Sequence, residues 1–504
     1  MFHQNQSIFM EENPYVARNC FLRKDMEDFP LPTYSEVQEY LPKPFWENHD
    51  DVIRCYDKAW QIAFSNLRQP VPGSGMVSNY IDTAFNGFLF MWDSAFIVMF
   101  GKYASRFFNF QKTLDNFYSK QHKDGFICRE LAEKEEGEQW SPFDPSSTGP
   151  DILPWSEWEF FLTTGDRRRL SEVFDPLMGF HLWMYRNRTW PDGSYWTNGL
   201  ASGMDNQPRT MPGYDNILSP AHQIWSDTCI QQLFGGKILI KMAEILGRSD
   251  EMGWIKEEVD NLTGIINQKL WDEESAFYYD LWKNGQHNRV KSIGAYWALL
   301  ADIVDESRLE RFVAHLENPD EFKRSHRIPS LSADHGEYQA HGDYWRGGVW
   351  PPTNYMVLKG LEKNGYDRLC YEIACNHLEN VVEVFRKTGT LFENYAPECA
   401  EPGQPAKKDF VGWTGLSPIS ILFEYVFGIR PDYANQKIVW HINLQERHGI
   451  RQYPFGDATL NLECEPSRED FPAVHIQSDK PVTVEVHYNG QIQTIAVSKK
   501  KADV

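Results

Sequence analysis

Positive charge is in short supply in this chain. Its 504 residues carry 50 Lys and Arg against 71 Asp and Glu, a formal net charge of −21. Nucleic-acid affinity rests on cations that neutralise phosphates, so no nucleic-acid partner is expected. The same balance disfavours anionic membrane surfaces and suits a neutral small molecule. Long apolar runs are missing too: no stretch approaches the roughly eighteen residues that a membrane span needs. The eight cysteines (Cys20, Cys55, Cys128, Cys229, Cys370, Cys375, Cys399 and Cys464) form no C-x-x-C. That speaks against a metal cluster or a disulfide framework, and for buried thiols in a reducing compartment. His335 and His341 stand near one another, but no helix-spaced His/carboxylate pattern accompanies them, so neither a metal nor another cofactor is expected. The opening residues Met1-Phe2-His3-Gln4-Asn5-Gln6 lack a basic stretch followed by an apolar one, the mark of a secretory signal. A cytoplasmic protein is the expectation, with a processed exported form as the alternative.

Aromatic side chains are plentiful instead: they make up 14% of the chain, with 18 Trp. Some fill space between helices; others offer flat apolar faces that suit the C–H surface of a sugar. The length calls for more than one small domain, and one large barrel with an appendage satisfies it.

Apolar residues recur three and four apart in segments of two kinds. One kind is charged on one side: Asp51–Leu67, Ser105–Lys120, Arg168–Asn187, Glu251–Leu270, Ser307–Leu316 and Tyr366–Lys387. The other is apolar nearly all round: Met91–Tyr103, Leu153–Thr164, Ala221–Leu246, Ile293–Ile303, Trp350–Lys363 and Gly415–Gly428. A one-sided helix lies on a surface and an all-apolar one is buried. Six of each in alternation predict an all-α double ring, the (α/α)6 barrel, over residues 51–430. An open solenoid is the rival, but its repeats would share a period. Beyond about Arg430 the texture changes. Short β-branched runs such as Lys437–Ile442 and Val482–Val486, with a hairpin signal at Asn489-Gly490, predict a small C-terminal β-sandwich over 431–504. Residues 1–50, rich in Pro and acid, are expected to wrap the barrel.

The connections from charged to apolar segments are long and rich in aromatics and glycine, the make-up of a binding mouth. Asp205, in Ala201-Ser202-Gly203-Met204-Asp205-Asn206, lies in the third; Glu393, in Leu391-Phe392-Glu393-Asn394-Tyr395, lies in the sixth. Positions three and six of a ring of six face each other, so the two carboxylates are expected across the mouth. Such a pair can break a glycosidic bond, one protonating the leaving oxygen and the other activating water; inversion calls for about 6.5–9.5 Å between them. Taken singly, Asp205-Asn206 reads equally as a turn and Glu393 as a surface acid. Asp93, opening an apolar segment in Phe90-Met91-Trp92-Asp93-Ser94, is either a first-turn acid or a partner for sugar hydroxyls. The run Gly336–Tyr355 supplies Arg346, able to fork onto a carboxylate or hydroxyls, and Trp345 and Trp350, able to wall a subsite. Arg209 and Tyr214 are candidates for meeting an acidic aglycone.

The pieces Trp92-Asp93-Ser94, Ser202-Gly203-Met204-Asp205-Asn206, Tyr344-Trp345-Arg346-Gly347-Gly348-Val349-Trp350, Asn354-Tyr355, Glu393-Asn394-Tyr395 and Gly412-Trp413 resemble those of glycoside hydrolase family 63. That family includes mannosylglycerate and glucosylglycerate hydrolases and processing α-glucosidases; the trehalases are similar at greater distance. The likeness covers roughly residues 50–430. It implies an inverting α-glycosidase acting on an α-linked glucoside or mannoside, with Asp205 as general acid and Glu393 as general base. It also implies a sugar subsite built from Trp92, Asp93, Gln121, Trp345, Arg346, Trp350 and Trp413. Where relatives often carry Glu before Ser-Gly this chain has Ala201, so substrate identity does not transfer with the mechanism. The β tail resembles that of some α-L-rhamnosidases. The alternatives are a trehalase- or rhamnosidase-like hydrolase, an epimerase or lyase using His335 or His341 as base, and a non-catalytic sugar-binding barrel.

Overall fold

The computed structural model describes residues 11–465 and 471–498. The opening Met1–Gln6 and the outer ends of the 1–50 and 431–504 segments lie outside the described residues. No helix among the described residues is long and apolar enough to cross a membrane.

The apolar segments fold as buried helices. Met91–Gly101 buries every residue but Asp93. Leu153–Thr164 starts on Pro154, where a missing N–H costs nothing, and stops at the left-handed Gly165 (φ +67°). Ser226–Leu246, Trp297–Ala301 and Pro351–Lys363 follow. Met91–Gly101 packs on Leu153–Thr164, which packs on Ser226–Leu246, then Trp297–Ala301, then Pro351–Lys363. From there contact passes to Trp413–Leu416 and back to Met91–Gly101, closing a cycle. The charged segments Asp50–Ser65, Arg167–Asn187, Gly253–Ile265, Glu306–Val313 and Asp367–Thr388 lie outside it. Asp166 caps one of them, accepting from the Arg169 N–H at 2.9 Å. The result is a helical, barrel-type body.

Two segments depart from regular α-helix. The stretch expected to be helical over Ser105–Lys120 coils only from Phe110, as a tight 3-10 run Phe110–Leu114 and one α turn Asp115–Tyr118. Asn109 starts it by accepting from the Gln111 N–H at 3.2 Å, which sets the helix start later than periodicity suggests. The last apolar segment is a 3-10 turn, Trp413–Leu416, running into a π-helix, Ser417–Val426.

Inside the cycle lies an aromatic layer: Trp155 meets Trp297 edge to face at 5.4 Å and stacks on Tyr355 at 6.0 Å. Beneath it, toward the C-terminal end of Met91–Gly101, two cations and two anions are buried together. Lys102 Nζ sits 3.1 Å from Glu159 and 3.0 Å from Glu424; Lys359 Nζ sits 3.1 and 2.8 Å from the same two. Four charges in alternation satisfy one another where water cannot.

The tail forms two four-stranded sheets. One runs Lys43–Trp46, His448–Phe455, Ala458–Glu465, Ala473–Ser478, all antiparallel. The other runs Ile429–Asp432, Lys437–His441, Val482–Tyr488, Gln491–Val497, its central pair parallel. Burial alternates along Ala458–Glu465 and Val482–Tyr488, as a half-buried strand requires. Asn489 and Gly490 both take positive φ, completing the hairpin their sequence signals. The N-terminal segment does more than wrap: Lys43–Trp46 supplies an edge strand to the first sheet.

Candidate active site

The connections into the buried helices gather at the N-terminal end of Met91–Gly101, and hydrogen bonds tie them to one another. Met91 N–H donates to Arg129 O at 2.8 Å, the Arg129 guanidinium to Leu200 O, and the Gln207 amide to Ser330 O at 2.7 Å. Val349 and Tyr395 exchange both backbone bonds, at 2.8 and 3.0 Å, and Lys407 Nζ reaches Ala84 O. Within this rim Asp93, Asp205 and Glu393 are each partly exposed, while Trp92, Ser94, Met204, Phe392 and Asn394 beside them in the chain are buried. Three partly exposed carboxyls thus stand among buried chain neighbours.

Their protonation equilibria are linked. Burial pushes Asp205 up to about 6; the Arg129 charge opposes this, and Glu393 and Glu130 add to it. Burial also raises Asp93 well above the carboxylate range, with Glu393 and Asp205 reinforcing and Arg129 opposing. Glu393 is raised by burial, but the Lys407 backbone N–H and the Tyr344 hydroxyl pull the other way by bonding to its ionised form. Asp93 and Asp205 thus both respond to the charge on Glu393.

The Asp205 loop is held rigidly. Gly203 takes φ +77° with its α-carbon against the Trp92 indole; a Cβ there would meet the ring at 2.8 Å, so glycine is required. Asn206 then fastens the loop to the 343–346 turn. Its amide donates to Asp343 O at 2.9 Å, its Oδ1 accepts from the Trp345 N–H at 2.9 Å, and its carbonyl accepts from Arg346 Nε at 3.2 Å. Glu393 is fastened from the other side. Its Oε1 accepts from the Tyr344 hydroxyl at 3.3 Å and its Oε2 from the Lys407 N–H at 3.2 Å, while its carbonyl takes the Trp413 indole N–H at 2.9 Å. Trp345 and Trp350 stack at 4.0 Å, 5° from parallel, and Trp413 stands edge-on to Trp350 at 5.5 Å. The 343–346 turn therefore touches both carboxylate loops.

Trp92, Asp93, Asp205, Trp345, Arg346, Trp350, Glu393 and Trp413 all fall within this linked set. Gln121 does not. Its amide donates to Gly125 O at 3.0 Å and Pro176 O at 2.8 Å and accepts from Asn19 at 2.9 Å, so its polar atoms clamp the N-terminal segment to an outer helix. Arg209 is likewise spent. It is 2% exposed and held between Asp227 (2.9 Å) and Asp280 (2.7 Å), so it cannot reach an aglycone. His335 Nδ1 accepts from the Glu337 N–H at 3.1 Å within its own turn. Among the described residues no group of three His, Cys, Asp or Glu is placed to hold a metal ion. Sequence reasoning passed over Arg129, Asn206, Tyr344 and Lys407 as individual contributors. Arg129 stands outside every motif singled out in the sequence, and Tyr344 opens the Tyr344–Trp350 motif beside residues of larger apparent importance.

Residues 87–414 match the family described as the mannosylglycerate hydrolase MGH1-like glycoside hydrolase domain. An uncharacterized protein of Borreliella burgdorferi is 24% identical over 77% of this chain and 81% of its own. A probable mannosyl-oligosaccharide glucosidase of Schizosaccharomyces pombe is 28% identical over 53% of this chain, which spans only 33% of that longer protein. The GH63 mannosylglycerate hydrolase of Thermus thermophilus, solved in complex with glucose, superposes with a TM-score of 0.59 at 20% identity. The match covers 73% of this chain and 99% of that one, and shows a shared fold. Because the matched span runs from just before Trp92 through Asp205 and Glu393 to Thr414, the chain belongs to the MGH1-like family and is a glycoside hydrolase of the family 63 type.

Proposed function

We propose that the chain hydrolyses an α-linked glucoside or mannoside with inversion, on an (α/α)6 barrel of residues 51–430 followed by a β-sandwich of 431–504. Asp205 is the general acid and Glu393 the general base. The observation that carries this reading is the difference between their surroundings. Asp205 is pushed up to about 6 and keeps its proton in mildly acidic solution. Glu393 is given two donors, the Tyr344 hydroxyl and the Lys407 N–H, that favour its ionised form. Burial raises Glu393 as well, but these donors work to keep its ionised form, the state a general base needs. Protonated Asp205 donates to the glycosidic oxygen. Glu393 takes a proton from water as that water attacks the anomeric carbon from the opposite face. Asp93 and Arg346 hydrogen-bond the sugar hydroxyls and Trp92 and Trp413 wall the ring, while Trp345 and Trp350, 1% and 0% exposed, stack behind Trp413 and do not reach the sugar. With Arg209 buried in its ion pairs it is not available to a carboxylate, and an uncharged aglycone is favoured.

Aryl α-D-glucoside, aryl α-D-mannoside and α-linked disaccharides test the reading. The expected result is a new reducing end in at least one; an unsaturated product absorbing in the ultraviolet would contradict it in favour of a lyase.

A further inference from the structure

A hollow lies at the far end of the molecule. The strands of the first β-sheet meet the C-terminal ends of the inner helices there, leaving a cleft of about 570 Å³, within the size range of small-ligand sites. Tyr103, just past the end of Met91–Gly101, lines it. Since Asp93 opens that same 11-residue helix, about 16 Å of helix separates the cleft from the mouth.

Two features make the cleft more than a packing gap. Tyr40 and Phe107, from the N-terminal segment and the 105–109 turn, stack at 5.7 Å and 29° while remaining 60% and 37% exposed. They form an aromatic platform turned to water. Beside it three carboxamides, Gln452, Asn461 and Gln477, come from three adjacent strands. Asn461 and Gln477 are direct cross-strand partners, and the Gln452 N–H donates to Asn461 Oδ1 at 3.0 Å. Gln452 occupies the β-bulge between Ile450 and Tyr453 with φ +59°, a conformation that costs a residue bearing a side chain on the order of 1–2 kcal/mol. Its Oε1 is buried with no hydrogen-bond partner among the described residues. A strained residue with an unpaired acceptor in the lining of a cleft is poorly explained by packing.

We propose that this cleft binds a short neutral oligosaccharide. The platform takes a pyranose C–H face, and the exposed Gln477 amide, with a donor and an acceptor side by side, pairs with vicinal hydroxyls. Neutrality follows from a lining that carries one cation, Arg106, and one anion, Asp479, and so no net charge. The Arg106 guanidinium binds Thr459 Oγ1 at 2.6 Å and Gly456 O at 3.1 Å, and Asp479 accepts the Thr459 N–H at 2.8 Å. Both charged groups thus serve the 456–459 turn, and the Gln477 amide and the rings are left for recognition. The proposal does not rest on the roles given to Asp205 and Glu393.

Native electrophoresis of the full chain through gels containing glycogen or yeast α-mannan tests it, with polygalacturonate as the anionic control. Retardation by a neutral polymer is expected, weakened at least tenfold by Tyr40→Ala and by Gln477→Ala. Both positions are exposed, so melting temperature and the hydrolysis of small aryl glycosides should not change. No retardation by either neutral polymer, retardation that both variants retain, or stronger retardation by polygalacturonate would each overturn the proposal. So would concentration-dependent self-association lost in Tyr40→Ala without any glycan binding, which would make the platform an interface between copies of the chain. If the aryl glycosides are not hydrolysed at all, the reading of the mouth fails while the gel result still decides this one.

Discussion

The Tyr344 hydroxyl donates to Glu393 Oε1 at 3.3 Å, and its chain neighbour Trp345 holds the Asp205 loop through Asn206. One turn therefore sets the position of both carboxylates. Tyr344→Phe removes a hydrogen bond to a charged group, worth about 1.5–3 kcal/mol, so kcat/KM should fall by roughly 10- to 100-fold. Because that bond lowers the Glu393 pKa, the acidic limb of the pH–rate profile should also move to higher pH. An unmoved limb would mean that Tyr344 acts only by packing.

The pH profile itself carries a sign. The acid must be protonated and the base ionised, so activity should decline above about pH 6, where Asp205 loses its proton. Arg129 opposes the rise in the Asp205 pKa. Arg129→Met should let that pKa climb and shift the alkaline limb to higher pH, even if the maximal rate drops. A shift to lower pH would remove Arg129 from this role.

Asp205→Asn should cost about 10²–10⁴ in rate on substrates with poor leaving groups. The loss should be much smaller on a 2,4-dinitrophenyl glycoside, whose leaving group needs no proton. Glu393→Gln should penalise both substrates alike. The same Asp205→Asn protein should melt higher than the parent at neutral pH. A carboxyl raised from about 3.9 in the unfolded chain to about 6 when folded loses stability as pH climbs through that window. The difference in melting temperature should fade toward pH 4.

The sequence exposed some of this architecture and concealed the rest for physical reasons. Apolar periodicity reports burial directly, so Met91–Gly101 and Leu153–Thr164 could be placed to within a residue or two. Gly203 and the aromatics around Glu393 marked loops that do more than connect. Long-range partners leave no local trace. The family resemblance makes Gln121 a sugar ligand, yet Asn19, 102 positions away, claims its carbonyl. Arg209 has the composition of an anion binder, but Asp280, 71 positions on, neutralises it. The Lys43–Trp46 strand pairs with His448–Phe455 across nearly the whole chain.

The ionic network under the aromatic layer makes a separate test. Glu424 is fully buried, meets Lys102 and Lys359, and accepts from the Tyr103 and Tyr355 hydroxyls at 2.8 Å each. Glu424→Gln leaves two buried cations sharing one carboxylate and should cost about 3–5 kcal/mol of stability in urea unfolding. The kcat of the remaining folded protein should stay close to the parent's. A neutral effect on stability would show that water reaches the site.

The most direct test of the paired-carboxylate mechanism is proton NMR of the first sugar released from an α-glycoside, recorded before mutarotation. A single displacement, with Glu393 delivering water to the face opposite Asp205, should release the β-anomer first. The α-anomer appearing first would require a covalent intermediate and would contradict the account.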